Sequence, residues 1–142
     1  MSGWIGAVTA LALQAGAPPD TGWTWSLYES QGPVVLAEEI PDTRHLRLTL
    51  ECEPGSGVAQ LSVYGEAFQG FATAQSGTAT ATAEATRVRD ATRLALRVDH
   101  PVFAAFAADG ALTLTMGEDR RAVSVPRPHL AKLRRFVQLC GG

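Results

Sequence analysis

Charged side chains are scarce. They make up 18% of the 142 residues and nearly cancel, leaving a net charge of −2. Such a chain has no overall field to hold nucleic acid, which is therefore not an expected partner. Low charge beside 46% hydrophobic residues also excludes an acidic disordered tail and a charged coiled coil. There is no Cys-x-x-Cys, no glycine-rich phosphate loop ahead of a helix and no internal repeat. The three histidines, His45, His100 and His129, stand apart, none with a second His or Cys at ligand spacing, so neither a metal nor another cofactor is expected. Asp99 precedes His100 directly, and sequence adjacency is not the geometry of a catalytic pair.

Two short motifs resemble catalytic ones and lack what the chemistry needs. Asp20-Thr21-Gly22 matches the tripeptide of aspartic proteases, which seat it at the end of a buried apolar strand so that two carboxylates share a proton. Here Pro18 and Pro19 stand where that strand belongs and bulky Trp23 follows, which favours a turn residue. Ser56 in "PGSGV" has Pro54 where a nucleophile elbow requires its first glycine, so it too reads as a turn. No catalytic residue is assigned, and the chain reads as non-enzymatic.

What is present begins with "MSGWIGAVTALALQAGA", residues 1–17, a run without a charged side chain. Its apolar centre, Trp4 to Leu13, covers about ten residues, too few to span a bilayer and suited to the hydrophobic part of an export signal. Ala15 and Ala17 supply small residues for cleavage, while the run lacks a Lys or Arg. Export is the expectation, with a retained hydrophobic helix or an ordinary buried segment as alternatives; once the leader is removed, no stable membrane span is expected. Residues 18–142 then form a single domain, long enough to bury its own core.

Two cysteines bear on the same question. Leu46, Leu48, Leu50 and Cys52 alternate with His45, Arg47, Thr49 and Glu51, which places Cys52 on the apolar face of a strand. Leu130, Leu133, Val137 and Cys140 recur at helical spacing, with Lys132, Arg134 and Arg135 pointing mostly elsewhere. Both sulfurs face the core, either as two buried thiols or as a bridge worth about 2–4 kcal/mol. Export favours the bridge, because disulfides persist in oxidising compartments.

The rest of the chain reads as strands joined by short turns. Residues 22–40 form a hairpin, with Trp23, Trp25 and Leu27 on one face; "HLRLTLEC" and "VAQLSVYGE" follow. In 78–88 threonine alternates with alanine and Val88 with arginine, so strand is preferred to helix, and "RLALRV" is another strand. "PVFAAFAADG" suits a short helix from Pro101 to Gly110, "ALTLTMGEDRRAVSV" is a hairpin turning near residues 117–120, and Pro126 or Pro128 opens a terminal helix. The expected fold is mainly β: an antiparallel sandwich or sheet, with a short helix and a C-terminal helix packed on it.

Candidate contact residues come from two groups. Trp23, Trp25 and Tyr28 crowd one early strand, as a binding strip if exposed and as packing if buried; Phe68 and Phe71 sit between glycines in "GEAFQGFATAQSG", read as a loop carrying exposed apolar groups. Half of the 12 basic residues fall in the last 23 positions, and of these Arg127, Lys132, Arg134 and Arg135 offer a docking face for an acidic partner, or a solvated helix face.

The order of these features, namely a leader, an early Trp23 or Trp25 strand, a strand ending in Cys52, the "ALTLTMGEDRRAVSV" hairpin and a last helix carrying Cys140, resembles small exported proteins of Gram-negative bacteria. It is similar to the invasion-associated locus B family and to accessory proteins of type VI secretion. The resemblance implies a periplasmic or secreted domain that binds another envelope protein as an inhibitor, assembly or secretion-associated factor, and it transfers no catalytic residue. A glycan-binding module or hydrolase of the envelope, and a structural subunit retaining residues 1–17 as a helix, are the alternatives. Oligomeric state is left open.

Overall fold

A computed structural model describes residues 22–141. Nine strands form one sheet: β1 (Thr24–Tyr28), β2 (Val34–Glu39), β3 (Leu46–Cys52), β4 (Val58–Tyr64), β5 (Gly70–Ser76), β6 (Ala79–Val88), β7 (Ala91–Arg97), β8 (Ala111–Met116) and β9 (Asp119–Ser124). All neighbours are antiparallel, in the order β1-β2-β3-β4-β7-β6-β5-β8-β9. Two helices follow the strands that feed them: α1 (Pro101–Asp109) connects β7 to β8, and α2 (Leu130–Gly141) ends the chain after a 3-10 turn at Arg127–His129. The mainly β architecture with a short helix and a C-terminal helix is thus the one the alternation pattern indicates. Among the described residues, no helix is long and apolar enough to cross a membrane.

The sheet curls, and its inner face is the core. Leu36, Leu50, Leu61 and Leu94 are cross-strand partners in sequence from β2 to β7, and all are buried. Further along, the inner positions of β5 and β6 are small: Ala72, Ala74, Ala81 and Ala85 are buried there, and α1 packs over these two strands. The small side chains leave room for Phe103 and Phe106, both buried on α1 and in ring contact with a centroid separation of 6.4 Å. This is why an alanine-rich segment is a strand: its alternating threonines face out while its alanines accommodate a helix.

Local chemistry fixes both helices. His100 caps α1, its Nδ1 accepting the Val102 N–H at 3.0 Å, and Pro101 occupies the first turn where a missing N–H costs nothing. Gly110 ends α1 in the left-handed region at φ 77°, its N–H donating to Phe106 O; a Cβ there would lie 2.3 Å from Val125 O. α2 buries Leu133, Phe136 and Cys140 against α1, β1, β2 and β4. Cys140 is bonded to Cys52 of β3, with a sequence separation of 88. Gly55 and Gly57, in the β3–β4 turn, donate their N–H groups to Leu139 O and Cys140 O at 2.9 and 2.7 Å. Carbonyls that a helix end leaves orphaned are therefore satisfied by the same turn that the disulfide fastens.

One expectation needs correction. The segment "GEAFQGFATAQSG" is not a loop throughout, because Gly70–Ser76 is the strand β5, paired on both sides by β6 and β8. The preceding turn is also tied down: buried Thr92 Oγ1 accepts the Phe68 N–H at 2.9 Å and donates to Glu66 O at 2.7 Å. The weak polar-apolar contrast of "GFATAQS" hides the strand, since its inward residues are alanine and serine. Asp20 and the whole of 1–17 lie outside the described residues.

Candidate functional site

The sheet does not close on itself. Among the described residues, β1 and β9 are its two edges, and an edge strand presents unpaired N–H and C=O groups that proteins normally cover or blunt. The β1 edge is covered: Lys132 Nζ donates to Trp25 O at 2.7 Å, and α2 packs along the strand. Trp25, 2% exposed, spans the gap between the edges and donates from Nε1 to Ser124 O on β9 at 3.1 Å. Among the described residues, the rest of the β9 edge has no such contact and forms one wall of a cleft of about 520 Å³, lined by Glu38, Arg47, Leu48, Tyr64 and residues 121–124.

The backbone phase of that wall follows from its hairpin. Met116 and Asp119 close a two-residue turn with Gly117 at φ 63°, so Met116, Leu114 and Leu112 exchange ladder hydrogen bonds with Asp119, Arg121 and Val123. The alternate residues Arg120, Ala122 and Ser124 point their N–H and C=O groups away from β8. Ser124 O, which receives the Trp25 indole, has this direction.

Two inward register positions at this end carry charge where the alternation calls for an apolar residue. Glu38 follows Val34 and Leu36, and Arg121 precedes Val123. Glu38 pairs with Arg47 at 3.5 Å, and burial raises its carboxyl above the ordinary range despite the opposing pull of Arg47 and Arg121. Arg121 donates to Tyr64 O at 3.3 Å and lies 3.7 Å from Glu66, both through Nη2. Neither contact is tight, so a guanidinium with five donors keeps capacity for another acceptor. At the rim, the Arg47 guanidinium sits 4.0 Å from the Trp23 ring centroid, and His45 meets the same ring edge-on at 6.5 Å. Among the described residues, the buried Trp23 Nε1 has no hydrogen-bond partner.

The sequence-based candidates are dispersed over the molecule. Trp25 is core and its ring is not available as a surface contact; Trp23 belongs to the cleft rim. Tyr28 is half exposed and donates its hydroxyl to Glu39, which raises its pKa, and Phe71 is 73% exposed on β5, far from β1 in strand order. Phe68 packs partly buried beside Gly70 and Gly117. Most of the basic set on the last helix has intramolecular work. Lys132 holds Trp25 O, Arg134 donates to Ala107 O and Ala108 O at the end of α1, and Arg135 pairs with Glu29 at 3.0 Å. Arg127 alone of these four is exposed with no side-chain partner among the described residues.

Glu38, Tyr64 and Arg121 were not singled out by the sequence reading. For Glu38 and Arg121 the signal is a charge in an inward phase, visible in "VVLAEE" and "DRRAVSV", whereas Tyr64 contributes its backbone carbonyl and carries no such signal; the meaning of both depends on the curl that brings β9 beside the ends of β2, β3 and β4. The cleft presents a backbone edge, a guanidinium and a carboxyl side by side; among the described residues, no three His, Cys, Asp or Glu side chains are placed to hold a metal ion. Compared with known proteins, the chain matches no family model, no curated protein and no solved structure.

Proposed function

We propose that the chain is an exported, disulfide-pinned, non-enzymatic domain that binds another protein of the bacterial envelope, as an accessory, inhibitor or assembly factor. The observation that carries this reading is the uneven treatment of the two sheet edges: among the described residues, β1 is covered by Lys132 and α2, whereas the β9 edge opens on a cleft with charged walls. Polypeptide edges left open in this way are sites of association. The buried bridge between Cys52 and Cys140 supports export, since structural disulfides belong to oxidising compartments. A periplasmic or secreted location follows from the same reasoning, together with the charge-free run at 1–17.

Cross-linking in intact cells, followed by purification from envelope extracts, tests the proposal. A stoichiometric protein partner is the expected result. Retention on peptidoglycan without any protein partner would contradict it and favour the glycan-binding alternative, for which the Trp23 ring with the Arg47 guanidinium over it is the relevant surface.

A further inference from the structure

We infer that the β9 edge is the recognition element, and that it takes an extended segment of a partner protein as a tenth strand, with an acidic side chain placed opposite Arg121. This rests on the protein-binding reading above and specifies its mode.

The first argument is the pattern of donors and acceptors. Residues 120, 122 and 124 direct N–H and C=O outward at a two-residue repeat, which corresponds to about 6.8 Å along a strand. Only another extended backbone repeats with that period, and it would lie about 4.8 Å from β9. A small polar ligand could use one such pair but not the series. Ser124 O is already held by Trp25 Nε1, so this contact marks one end of the available edge, and Ala122 is its centre.

The second argument is charge. A residue on the added strand directly across from Arg121 would share its face, with Cβ atoms about 5 Å apart. Arg121 reaches Tyr64 O and Glu66 only at 3.3 and 3.7 Å, through a single nitrogen. A carboxylate there would gain a charge-assisted hydrogen bond without displacing a strong one. Arg120 adds an exposed positive charge on the other face of the same strand. Glu38 and Glu66 are the nearby opposing charges; Glu38 is engaged by Arg47 at 3.5 Å, and Glu66 is held by Arg121 itself only at 3.7 Å. An acidic residue is therefore favoured over a basic one opposite Arg121.

The third argument is that the edge groups are separate from the ladder that holds β9. The Ala122 N–H makes no ladder bond with β8, so proline at 122 removes a donor used only by an added strand. The corresponding change at Arg121 or Val123 would break the β8–β9 ladder itself.

The test uses the full chain with its disulfide formed, labelled with nitrogen-15. The probe is a capped seven-residue peptide of alternating threonine and valine carrying one central glutamate. Saturable shifts of the Arg120, Ala122 and Ser124 amide signals are expected. Ala122→Pro should weaken binding by about tenfold, the value of roughly 1.4 kcal/mol for lost edge hydrogen bonds. Arg121→Gln should abolish the preference for the glutamate peptide over its lysine counterpart. Peptides N-methylated at alternate amides give the same backbone test on the unsubstituted protein, should Ala122→Pro fail to fold: methylation of the edge-facing amides should eliminate binding and methylation of the other set should not. The inference is overturned if the peptide gives no saturable shifts on β9, if N-methylation in either phase is equally tolerated, or if oligosaccharide shifts these amides and peptide does not. A partner recovered by cross-linking whose binding ignores Ala122→Pro and Arg121→Gln would overturn this mode while leaving the protein-binding reading standing.

Discussion

Replacing both cysteines by alanine should remove a large fraction of the margin by which this domain is stable. The bond between Cys52 and Cys140 has a sequence separation of 88. Taking the loop as that long, the chain-entropy relation gives about 15 cal/mol/K, or about 4.6 kcal/mol at 25 °C, as the restriction removed from the unfolded ensemble. Small domains are stable by about 5–15 kcal/mol in total, so the loss is a large fraction. The backbone bonds from Gly55 and Gly57 to Leu139 O and Cys140 O act on the same junction and survive the substitution, which sets the native geometry of the alanine variant. Urea unfolding of the oxidised protein and of the double variant is the assay. The midpoint should fall by an amount corresponding to about 3–4.5 kcal/mol, and the dependence on urea should steepen because an uncrosslinked chain exposes more surface on unfolding. A loss below about 1 kcal/mol would refute the reasoning, since it would mean that the β3–β4 turn and α2 stay associated in the unfolded ensemble without the bond.

Lys132→Met keeps the aliphatic stem but removes the donor to Trp25 O, leaving an edge carbonyl uncovered; the expected cost is about 1.5–3 kcal/mol in the same unfolding assay, and an unchanged midpoint would show that water replaces the ammonium freely. Gly110→Ala places a Cβ 2.3 Å from Val125 O at a residue with φ 77°, so a destabilisation of at least about 2 kcal/mol is expected, and a neutral result would mean that the α1–β8 junction relaxes readily. Glu38 has a folded pKa raised above its ordinary 4.5. The folded state therefore holds that proton longer than the unfolded state, and this contribution to stability is complete below about 4.5 and lost as pH rises through the raised value. Glu38→Gln should flatten that part of the stability–pH profile, measured by urea unfolding from pH 4 upward; a profile with unchanged slope would exclude Glu38 as its source.

Much of the architecture was legible because alternation reports burial directly. The Leu48, Leu50, Cys52 series and the Leu61, Val63 series both face the core as their phase indicates, and Pro101 with Gly110 bounded α1 correctly. The Thr-Ala alternation of 78–83 outweighed the helix propensity of alanine because those alanines face α1. β5 escaped notice for the converse reason: its inner residues, Ala72, Ala74 and Ser76, give almost no contrast with the threonine and glutamine between them. Phe136, fully buried on α2, was likewise overlooked beside Val137, one position out of the best helical phase. The cleft was less legible still. Arg47 and Trp23 meet across a bulged β2–β3 register, and Arg121 reaches Tyr64 O over 57 positions of sequence, contacts that depend on how far the sheet curls. The basic character of α2 was plain, whereas its use was not: Lys132, Arg134 and Arg135 serve Trp25, the end of α1 and Glu29 inside the domain.

The intact mass of the protein purified from its native host, with and without reduction and thiol alkylation, tests the central claim most directly. A chain lacking about its first 15 to 17 residues, with both cysteines unreactive until reduced, is the predicted result and would place a disulfide-pinned domain outside the cytoplasm. A full-length chain with two alkylatable thiols would contradict it, and with it the assignment of the open β9 edge to a partner in the envelope.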